Sequence, residues 1–494
     1  MGLEIHKEQF DDGDREVFSA KLRACLAALR EVSERPGFGE GEASIGAELE
    51  LNLVGDDLRP ANVNRAVLAD TLDDRLTLEV DKFNLEINAR PFPLAGAPFS
   101  RTAQDLSEAL ASAREAASKH RVRVVPIGIL PTLHEEDLGP EALTDGRRYK
   151  ALSAGLLHLR KSSFPLCIRG IDELSLSADD VTYEGANTSF QVHLRVAPGQ
   201  FARTYNAAQL ATGLVLAVSG NSPLFLGRRL WDETRIALFR QSVDDREAGE
   251  GDDVRLSRVS FGHGWVRRGA LELFEESVHL HEPLLPVCSD EDPLAVVRLG
   301  MTPKLAELRL HHGTVWRWNR AIYDDAGDGH FRVELRALPA GPTVSDMAAN
   351  AAFLVGLTLA LRDDADTLVT RVTFGHARRN FYAAARHGID AELVWPAGGS
   401  TPRLSPALAL AAHLVPLARH GLVTGGVDPD EADRHLAVVS HRIAARTSGA
   451  RWQRRTFEAS LSRGNPPFRA AAEVLARYAD LSESGAPVHT WPES

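Results

Sequence analysis

Residues Ser44–Val54 read Ser-Ile-Gly-Ala-Glu-Leu-Glu-Leu-Asn-Leu-Val, so that Ile45, Ala47, Leu49, Leu51 and Leu53 alternate with Gly46, Glu48, Glu50 and Asn52. Strict period two predicts a strand with one buried face, because successive side chains point to opposite sides of a sheet. The same parity puts Glu48 and Glu50 on one face, roughly 6–7 Å apart by strand geometry. No Lys or Arg stands in the strand to neutralise them. Carboxylates held this way repel one another unless a cation sits between them.

Three further segments carry the same signature. Arg75-Leu-Thr-Leu-Glu-Val-Asp-Lys-Phe-Asn-Leu-Glu-Ile-Asn88 alternates with a change of phase near Asp81–Lys82. Thr77, Glu79 and Asp81 share one parity before the slip, and Asn84, Glu86 and Asn88 the other after it, as a bulge or tight turn produces. In Thr188-Ser-Phe-Gln-Val-His-Leu-Arg-Val196 the polar side is Ser189, Gln191, His193 and Arg195; in Phe331-Arg-Val-Glu-Leu-Arg336 it is Arg332, Glu334 and Arg336. Any one of these faces is explained by the wet side of an antiparallel sheet. Together they pair carboxylates at i, i+2 beside amides, a histidine and arginines, unlike the Thr, Lys and mixed charge of a solvated face. Oxygen-rich sets with an occasional imidazole suit Mg²⁺ or Mn²⁺ better than zinc or copper.

Around these strands the pattern is helical. Apolar spacing predicts helices over residues 14–34, 100–121 and 201–218, with Pro36-Gly-Phe-Gly-Glu-Gly41 separating the first from the first strand. The Asp-, Glu- and Gly-rich stretch Asp244–Asp253 reads as a mobile surface connection. From Val344 onward the chain reads as almost entirely helical, broken near Pro396–Arg403 and Gly425–Pro429. Strands in the middle with helices between and after them make this an α+β chain. The expected organisation is an N-terminal helix and linker, 1–40, then a single catalytic domain, 41–494, mostly helical over 344–494.

Composition removes several function classes. A net charge of −12 argues against a nucleic-acid partner. Cys25, Cys167 and Cys288 form no Cys-x-x-Cys pair, so neither a disulfide framework nor a thiolate zinc site is expected. Each is expected as a buried thiol in a reducing compartment. The charged start Met1–Glu8 has no apolar core of a signal peptide. The apolar stretches Ala207–Val218 and Ala348–Leu361 fall short of the roughly 20 residues of a membrane span. They read as buried core helices of a cytoplasmic protein without a membrane partner. No Gly-x-x-x-x-Gly-Lys-Ser/Thr loop, helix-opening Gly-x-Gly-x-x-Gly, His-Glu-x-x-His or Gly-x-Ser-x-Gly is present. What remains suits phosphoryl transfer, in which divalent ions bridge phosphate oxygens and arginine stabilises the developing charge. ATP would then be held mainly through metal.

Several motifs now stand in a telling order: Gly46-Ala-Glu-Leu-Glu50, Leu78-Glu-Val-Asp-Lys-Phe-Asn-Leu-Glu-Ile-Asn88, Glu184-Gly-Ala-Asn-Thr-Ser-Phe-Gln-Val-His-Leu194 and Asn221-Ser-Pro. Arg332-Val-Glu-Leu-Arg336 follows with Leu338-Pro-Ala-Gly-Pro-Thr343, then Asn380-Phe-Tyr-Ala-Ala-Ala-Arg-His-Gly388 and Gly449-Ala-Arg-Trp-Gln453. From about Ser44 onward the chain resembles the glutamate–cysteine ligase type 2 family, carboxylate–amine ligases of the glutamine synthetase superfamily. The resemblance implies an antiparallel sheet curved into a funnel and backed by helices, with ATP at one end and the acceptor carboxylate at the other. It implies metal ligands at Glu48, Glu50, Glu86 and Glu334, with Glu79 or Asp81 in addition. His193, or Gln191 on the same face, takes a metal- or phosphate-contacting place, and Arg336 faces the transferred γ-phosphoryl group. Arg235 takes the place of an arginine that anchors a substrate carboxylate, the competing reading being an ion pair with Glu233 or Asp232. Gln191 stands where many relatives carry a second histidine, and Phe381-Tyr382 where several carry Trp-Arg.

His311-His-Gly-Thr-Val-Trp-Arg-Trp-Asn-Arg320 is unusual in composition. It reads as a substrate-lining loop, with Trp316 as a flat apolar wall and Arg317 and Arg320 as carboxylate-binding groups, or else as a packed turn. A zinc site at His311-His312 is disfavoured, since neighbours on a strand face opposite ways. The expected enzyme therefore needs ATP and Mg²⁺, with Mn²⁺ as an alternative, and joins an amino-acid carboxylate to an amine through an acyl phosphate. Its partners are small molecules, with a homo-oligomer left open. A phosphotransferase acting on a guanidino group and a non-catalytic nucleotide-binding protein are the rivals.

Overall fold

The alternation in Ser44–Val54 becomes the centre of an eight-stranded antiparallel sheet that curls into a half-barrel. In chain order the strands are β1 (Ser44–Gly55), β2 (Leu76–Leu78), β3 (Asn84–Asn88), β4 (Phe92–Pro93), β5 (Val122–Val125), β6 (Phe164–Arg169), β7 (Glu173–Ala178) and β8 (Phe190–Val196). They continue as β9 (Leu224–Phe225), β10 (Arg228–Arg229), β11 (Asn319–Asp324), β12 (His330–Leu335), β13 (Glu392–Pro396) and β14 (Pro402–Pro406). This computed structural model describes residues 5, 7, 9–247, 250, 251, 254–396 and 401–493. Parts of the expected Asp244–Asp253 connection and of the Pro396–Arg403 break, and most of the first eight residues, lie outside the described residues.

The large sheet runs β11-β12-β8-β1-β3-β2, with β4 and β5 paired to β1. Ile45, Ala47, Leu49, Leu51 and Leu53 are all buried, and helices cover that face. The phase change at Asp81–Lys82 is a tight turn: Arg75–Asn88 folds back as the β2–β3 hairpin, with Thr77 opposite Glu86. The helix Phe201–Ser219 is apolar on nearly every side and accordingly buried. Val344–Arg362 packs against it and against Ala407–Thr424, Pro429–Ala444 and Pro98–Ser118. Val344–Arg362 and Ala407–Thr424 are both long and apolar enough to cross a membrane, but the first lies mostly inside the protein. These two helices touch through glycines: a Cβ on Gly421 would overlap the Gly356 carbonyl oxygen, and one on Gly356 would lie 2.6 Å from the Ala418 oxygen.

Several sequence expectations change. His311 and His312 end a helix, Ala306–Gly313, and do not lie on a strand. His311 Nε2 lies 2.8 Å from the Ser277 carbonyl oxygen and His312 Nε2 2.9 Å from that of Ala321. The C-terminal part contains the β13–β14 hairpin, built on Leu393, Val394 and Trp395, which pure helical periodicity overlooks. Of the three free cysteines only Cys25 is buried; Cys167 falls on the outward parity of β6, and Cys288 is exposed as well. In the Asp244–Asp253 connection Asp245 is fully buried, 2.6 Å from Arg258 and 3.1 Å from Arg255, which pins the described part to the core.

Candidate active site

Strand register brings the polar parities together. Glu48 lies opposite Gln191 on β8 and Asn88 on β3, and Glu50 opposite Glu86. His193 lies between Gly46 on β1 and Glu334 on β12, and Arg320 on β11 lies opposite Glu334. The polar faces of β1, β3, β8, β11 and β12 thus become one floor. Above it is a cleft of about 750 Å³ whose lining includes Glu48, Glu50, Glu79, Glu86, Gln191, His193, Trp316, Arg320, Glu334 and Arg336.

His193 Nε2 lies 3.0 Å from Glu48 Oε1 and 3.7 Å from Glu334 Oε1. Neither contact is aligned as a hydrogen bond, and both ring nitrogens are buried without a hydrogen-bond partner. One ligand atom from each of Glu48, His193 and Glu334 falls within 4.8 Å of the others. A buried imidazole lone pair facing two carboxylates is a donor set that fits a divalent cation. Glu334 is also gripped from the opposite side: Arg320 donates to both of its oxygens at 2.6 and 3.0 Å, and Arg336 Nη1 lies 3.2 Å from Oε1. Burial alone would raise the Glu334 pKa, but Arg320, Arg336 and His193 overcome it and hold the carboxyl far below the usual range. Glu48 is lowered too, its burial outweighed by His193. Arg336 Nη1 donates to Gln191 Oε1 at 2.5 Å, Gln191 Nε2 to Glu50 Oε1 at 3.0 Å, and the Ser189 amide to Glu50 Oε2 at 2.6 Å.

The other end of the floor has carboxylates without cations. Burial and then Glu48 and Glu50 push Glu86 up to about 8, and burial and Glu50 do the same to Glu184. Glu79 is raised well above the carboxylate range by burial, Glu86, Glu50 and Glu184. A cation drawn to these acids would relieve the repulsion, although among the described residues only Glu48, His193 and Glu334 bring three ligand atoms within 4.8 Å of one another.

The sign of the stability effect follows. Below about pH 4.5 these three acids are protonated whether the chain is folded or not. Between there and about 8 the unfolded chain ionises while folded Glu86 and Glu184 do not, so their stabilising contribution is lost as the pH rises. In chelator, the urea midpoint should therefore fall from pH 5 to 8.5, and fall less in Glu184→Gln. Added Mg²⁺ should raise it more at pH 8 than at pH 5; equal increments at both pH values would rule out a cation among these acids.

Not every sequence candidate reaches the cleft. Asp81 falls in the β2–β3 turn, is 0% exposed and does not line the cleft, so of the Glu79 or Asp81 alternatives Glu79 is the one that does. Arg235 is buried, donating to Glu233 Oε1 at 2.9 Å and to the Ala337 oxygen at 2.6 Å, so its guanidinium holds the main chain just after Arg336. The competing ion-pair reading with Glu233 describes it, although the pair is internal. Arg317 is 1% exposed and pairs with Glu276 at 2.7 Å; it stands before β11, bridged to Ser260, and does not line the cleft as Trp316 and Arg320 do.

Other lining residues carry no role in the sequence reading. Glu184 lies within a four-residue helix, Thr182–Gly185, where no strand parity marks it, although it opens one of the family-like motifs. Arg148, Tyr149 and Leu152 come from the helix Arg147–Arg160, which overhangs the β2 end; Tyr149 Oη donates to the Leu78 oxygen at 3.1 Å. Phe274 and Leu285 wall the β11 side.

Among solved structures, a glutamate–cysteine ligase from Francisella tularensis in complex with AMP shares this fold at 12% identity and a TM-score of 0.56, with 90% of each chain covered. A bifunctional glutathione synthetase from Pasteurella multocida aligns at 10% identity and a TM-score of 0.48, covering 96% of this chain and 55% of the other. No curated protein sequence matches the chain. The profile of glutamate–cysteine ligase family 2 matches residues 44–465, from β1 through the cleft and nearly all of the C-terminal helices, and the chain belongs to that family.

Proposed function

We propose that this protein is an ATP-dependent carboxylate–amine ligase that activates a carboxylate as an acyl phosphate and passes the acyl group to an amine. The observation that carries this reading is the orphaned His193 imidazole between Glu48 and Glu334, flanked by Arg336 and Arg320 in one cleft. Family membership and the AMP-bound neighbour of the same fold support it. Glu48, His193 and Glu334 would hold one Mg²⁺, and Glu50, Glu79, Glu86 and Glu184 another. Bound there, the ions supply charge neutralisation for the triphosphate.

The protein's own groups do the rest. Arg336, oriented by Gln191 and Glu334, presents N–H donors to the phosphoryl oxygens as charge shifts toward the leaving ADP. A carboxylate oxygen of the substrate attacks the γ-phosphorus and ADP departs. The amine nitrogen then attacks the acyl carbon and inorganic phosphate leaves, the ammonium proton passing to a base or to water. Leu152, Phe274, Leu285 and Trp316 give the cleft apolar walls, which exclude the water that would hydrolyse the acyl phosphate.

The test crosses a panel of amino acids with a panel of amines, follows inorganic phosphate, and reads the new amide by mass. Phosphate and amide should form in equal amounts. A phosphorylated product without free phosphate would replace this reading with a phosphotransferase, and Mg²⁺-dependent ATP binding without any turnover would replace it with a nucleotide-binding protein.

A further inference from the structure

A second cavity, of about 350 Å³, shares no described lining residue with the catalytic cleft. Its volume falls in the range of small-molecule sites, about 300–1,000 Å³. Three basic side chains line it, Arg240, His263 and Arg378, and no carboxylate does so among the described residues. Arg240 lies over the Tyr382 ring, 5.6 Å from its centroid, so an aromatic face holds that guanidinium at the wall. Arg378 stands one helical turn before Tyr382 on the helix Phe374–His387, and both line the cavity. Arg378 is exposed and makes no ion pair or hydrogen bond among the described residues. Ser260 Oγ accepts from the Gly262 amide at 3.3 Å, which leaves the hydroxyl proton to be donated.

Two guanidiniums and a hydroxyl around one cavity suit an anion with several acceptor oxygens. A phosphate monoester carries roughly −1.5 to −2 charge at pH 7, and guanidinium forks match its oxygens in pairs. The cavity is larger than a phosphate group and has room for a small organic body beside Leu256. It is also tied to the cleft. The Ser260 amide donates to the Trp316 oxygen at 3.2 Å, and the Trp318 amide to the Ser260 oxygen at 3.1 Å. Trp316 is the cleft's aromatic wall. The helix Thr234–Ser242 makes a second tie, because Arg240 lines the cavity while Phe239 packs edge-on against Trp316 and Trp318, ring centroids 5.8 and 5.7 Å away. A ligand drawing on Ser260 and Arg240 therefore acts on both supports of Trp316.

We propose that this cavity is an effector site for a small phosphate monoester, held by Arg240, Arg378 and Ser260, whose occupancy alters the Trp316 wall of the cleft. Binding stands on the cavity alone; the effect on turnover rests on the ligase reading. None of the three residues takes part in the bond changes.

The test is calorimetric titration with inorganic phosphate, glycerol 3-phosphate and glucose 6-phosphate, against glycerol, glucose and malonate. The protein is first saturated with Mg²⁺ and a non-hydrolysable ATP analogue, which fills the phosphate sites of the cleft. A monoester should bind at one site per chain. Arg378→Ala, at an exposed position that leaves the core undisturbed, should weaken it about 10- to 100-fold, the scale of one charge-assisted contact, and Ser260→Ala about 3- to 10-fold. Arg336→Ala should bind it as wild type does. In turnover, read as ADP formation, saturating monoester should shift the KM of one organic substrate by about fivefold or more, the low end of coupling between sites. Arg378→Ala should lose that shift while keeping wild-type kinetics in its absence. Failure of every phosphate to bind, or equal binding in Arg378→Ala, overturns the site. Malonate bound as tightly as the monoesters overturns the phosphate assignment, and binding with unchanged kinetics overturns the action on the cleft. If wild type makes no amide but binds a monoester in an Arg378-dependent way, the ligase reading fails and the site stands.

Discussion

Arg336→Ala should lower amide formation by about two to three powers of ten in kcat, the scale of removing one preorganised electrostatic stabiliser, or about 2.7–4 kcal/mol. Arg336 follows the last residue of β12, and its Nη1 is held 2.5 Å from Gln191 Oε1 and 3.2 Å from Glu334 Oε1. The donor is thus aimed before substrate arrives, and no reorganisation is needed when charge shifts onto the phosphoryl oxygens. Glu334 keeps its bidentate pair with Arg320 after the substitution, so the fold and the first cation site survive. The loss should therefore appear in kcat with KM for ATP changed only a few-fold. Arg336→Lys keeps the charge but not the planar fork, and should recover part of the rate. Glu334→Gln should cost a similar factor by another route, since it removes the charge that orients both arginines and one ligand from the Glu48–His193–Glu334 set. Wild-type kcat in Arg336→Ala, with the protein folded and amide formed, would take this residue out of the chemistry.

Much of the floor is legible in the sequence because a β-strand converts parity directly into direction. Glu48, Glu50, His193 and Glu334 can be assigned to one face from alternation alone, and antiparallel register then places Glu334 beside His193 and Glu50 beside Glu86. Parity fails where the chain leaves the sheet. Asp81 shares its parity with Glu79, yet the turn that separates β2 from β3 buries it away from the cleft. Glu184 and Arg148 reach the cleft from helices whose placement depends on packing between distant segments, such as Gly155 against Leu284, where a Cβ would come 2.8 Å from the carbonyl oxygen. Arginine roles are the least legible of all. Arg317 and Arg235 carry the same guanidinium as Arg336, and what separates them is a partner, Glu276 for one and Glu233 with the Ala337 carbonyl for the other. Glu276 is distant in the chain from Arg317, and although Glu233 stands two residues from Arg235, composition does not decide whether the guanidinium turns to that acid or to the cleft.

Gly449→Ala should destabilise the protein by about 3 kcal/mol, at the upper end of overpacking costs, because the added methyl has nowhere to go. Its Cβ would overlap the Asn221 side-chain oxygen and lie 2.8 Å from Pro342 Cγ. Asn221 is 0% exposed and uses its whole side chain: Nδ2 donates to the Ala340 oxygen and to Tyr478 Oη, each at 2.7 Å, while Oδ1 accepts from Gln453 Nε2 at 2.8 Å. The Asn221 amide in turn donates to Glu233 Oε2 at 2.8 Å, the acid that pairs with Arg235, and Arg235 holds the Ala337 oxygen. Three of the family-like motifs, Asn221-Ser-Pro, Leu338-Pro-Ala-Gly-Pro-Thr343 and Gly449-Ala-Arg-Trp-Gln453, thus meet in one buried knot outside the cleft. Its output is the path of the chain directly after Arg336. Asn221→Ala should cost at least as much as Gly449→Ala, since it leaves the Ala340 carbonyl without its side-chain partner and takes one hydrogen bond each from Gln453, which keeps the Asn221 main-chain oxygen, and Tyr478, which keeps the Pro126 oxygen. Both variants should shift the urea midpoint downward, whereas Gly139→Ala, whose new methyl would have no atom within 4 Å and no left-handed backbone to strain, should leave it unchanged. Because Arg336 is aimed through this knot, the folded fraction of Gly449→Ala should also turn over more slowly at unchanged KM. A stability as high as that of wild type would mean the helix beginning at Gly449 can shift away from Asn221 freely, and that the knot does not hold the end of β12 in place.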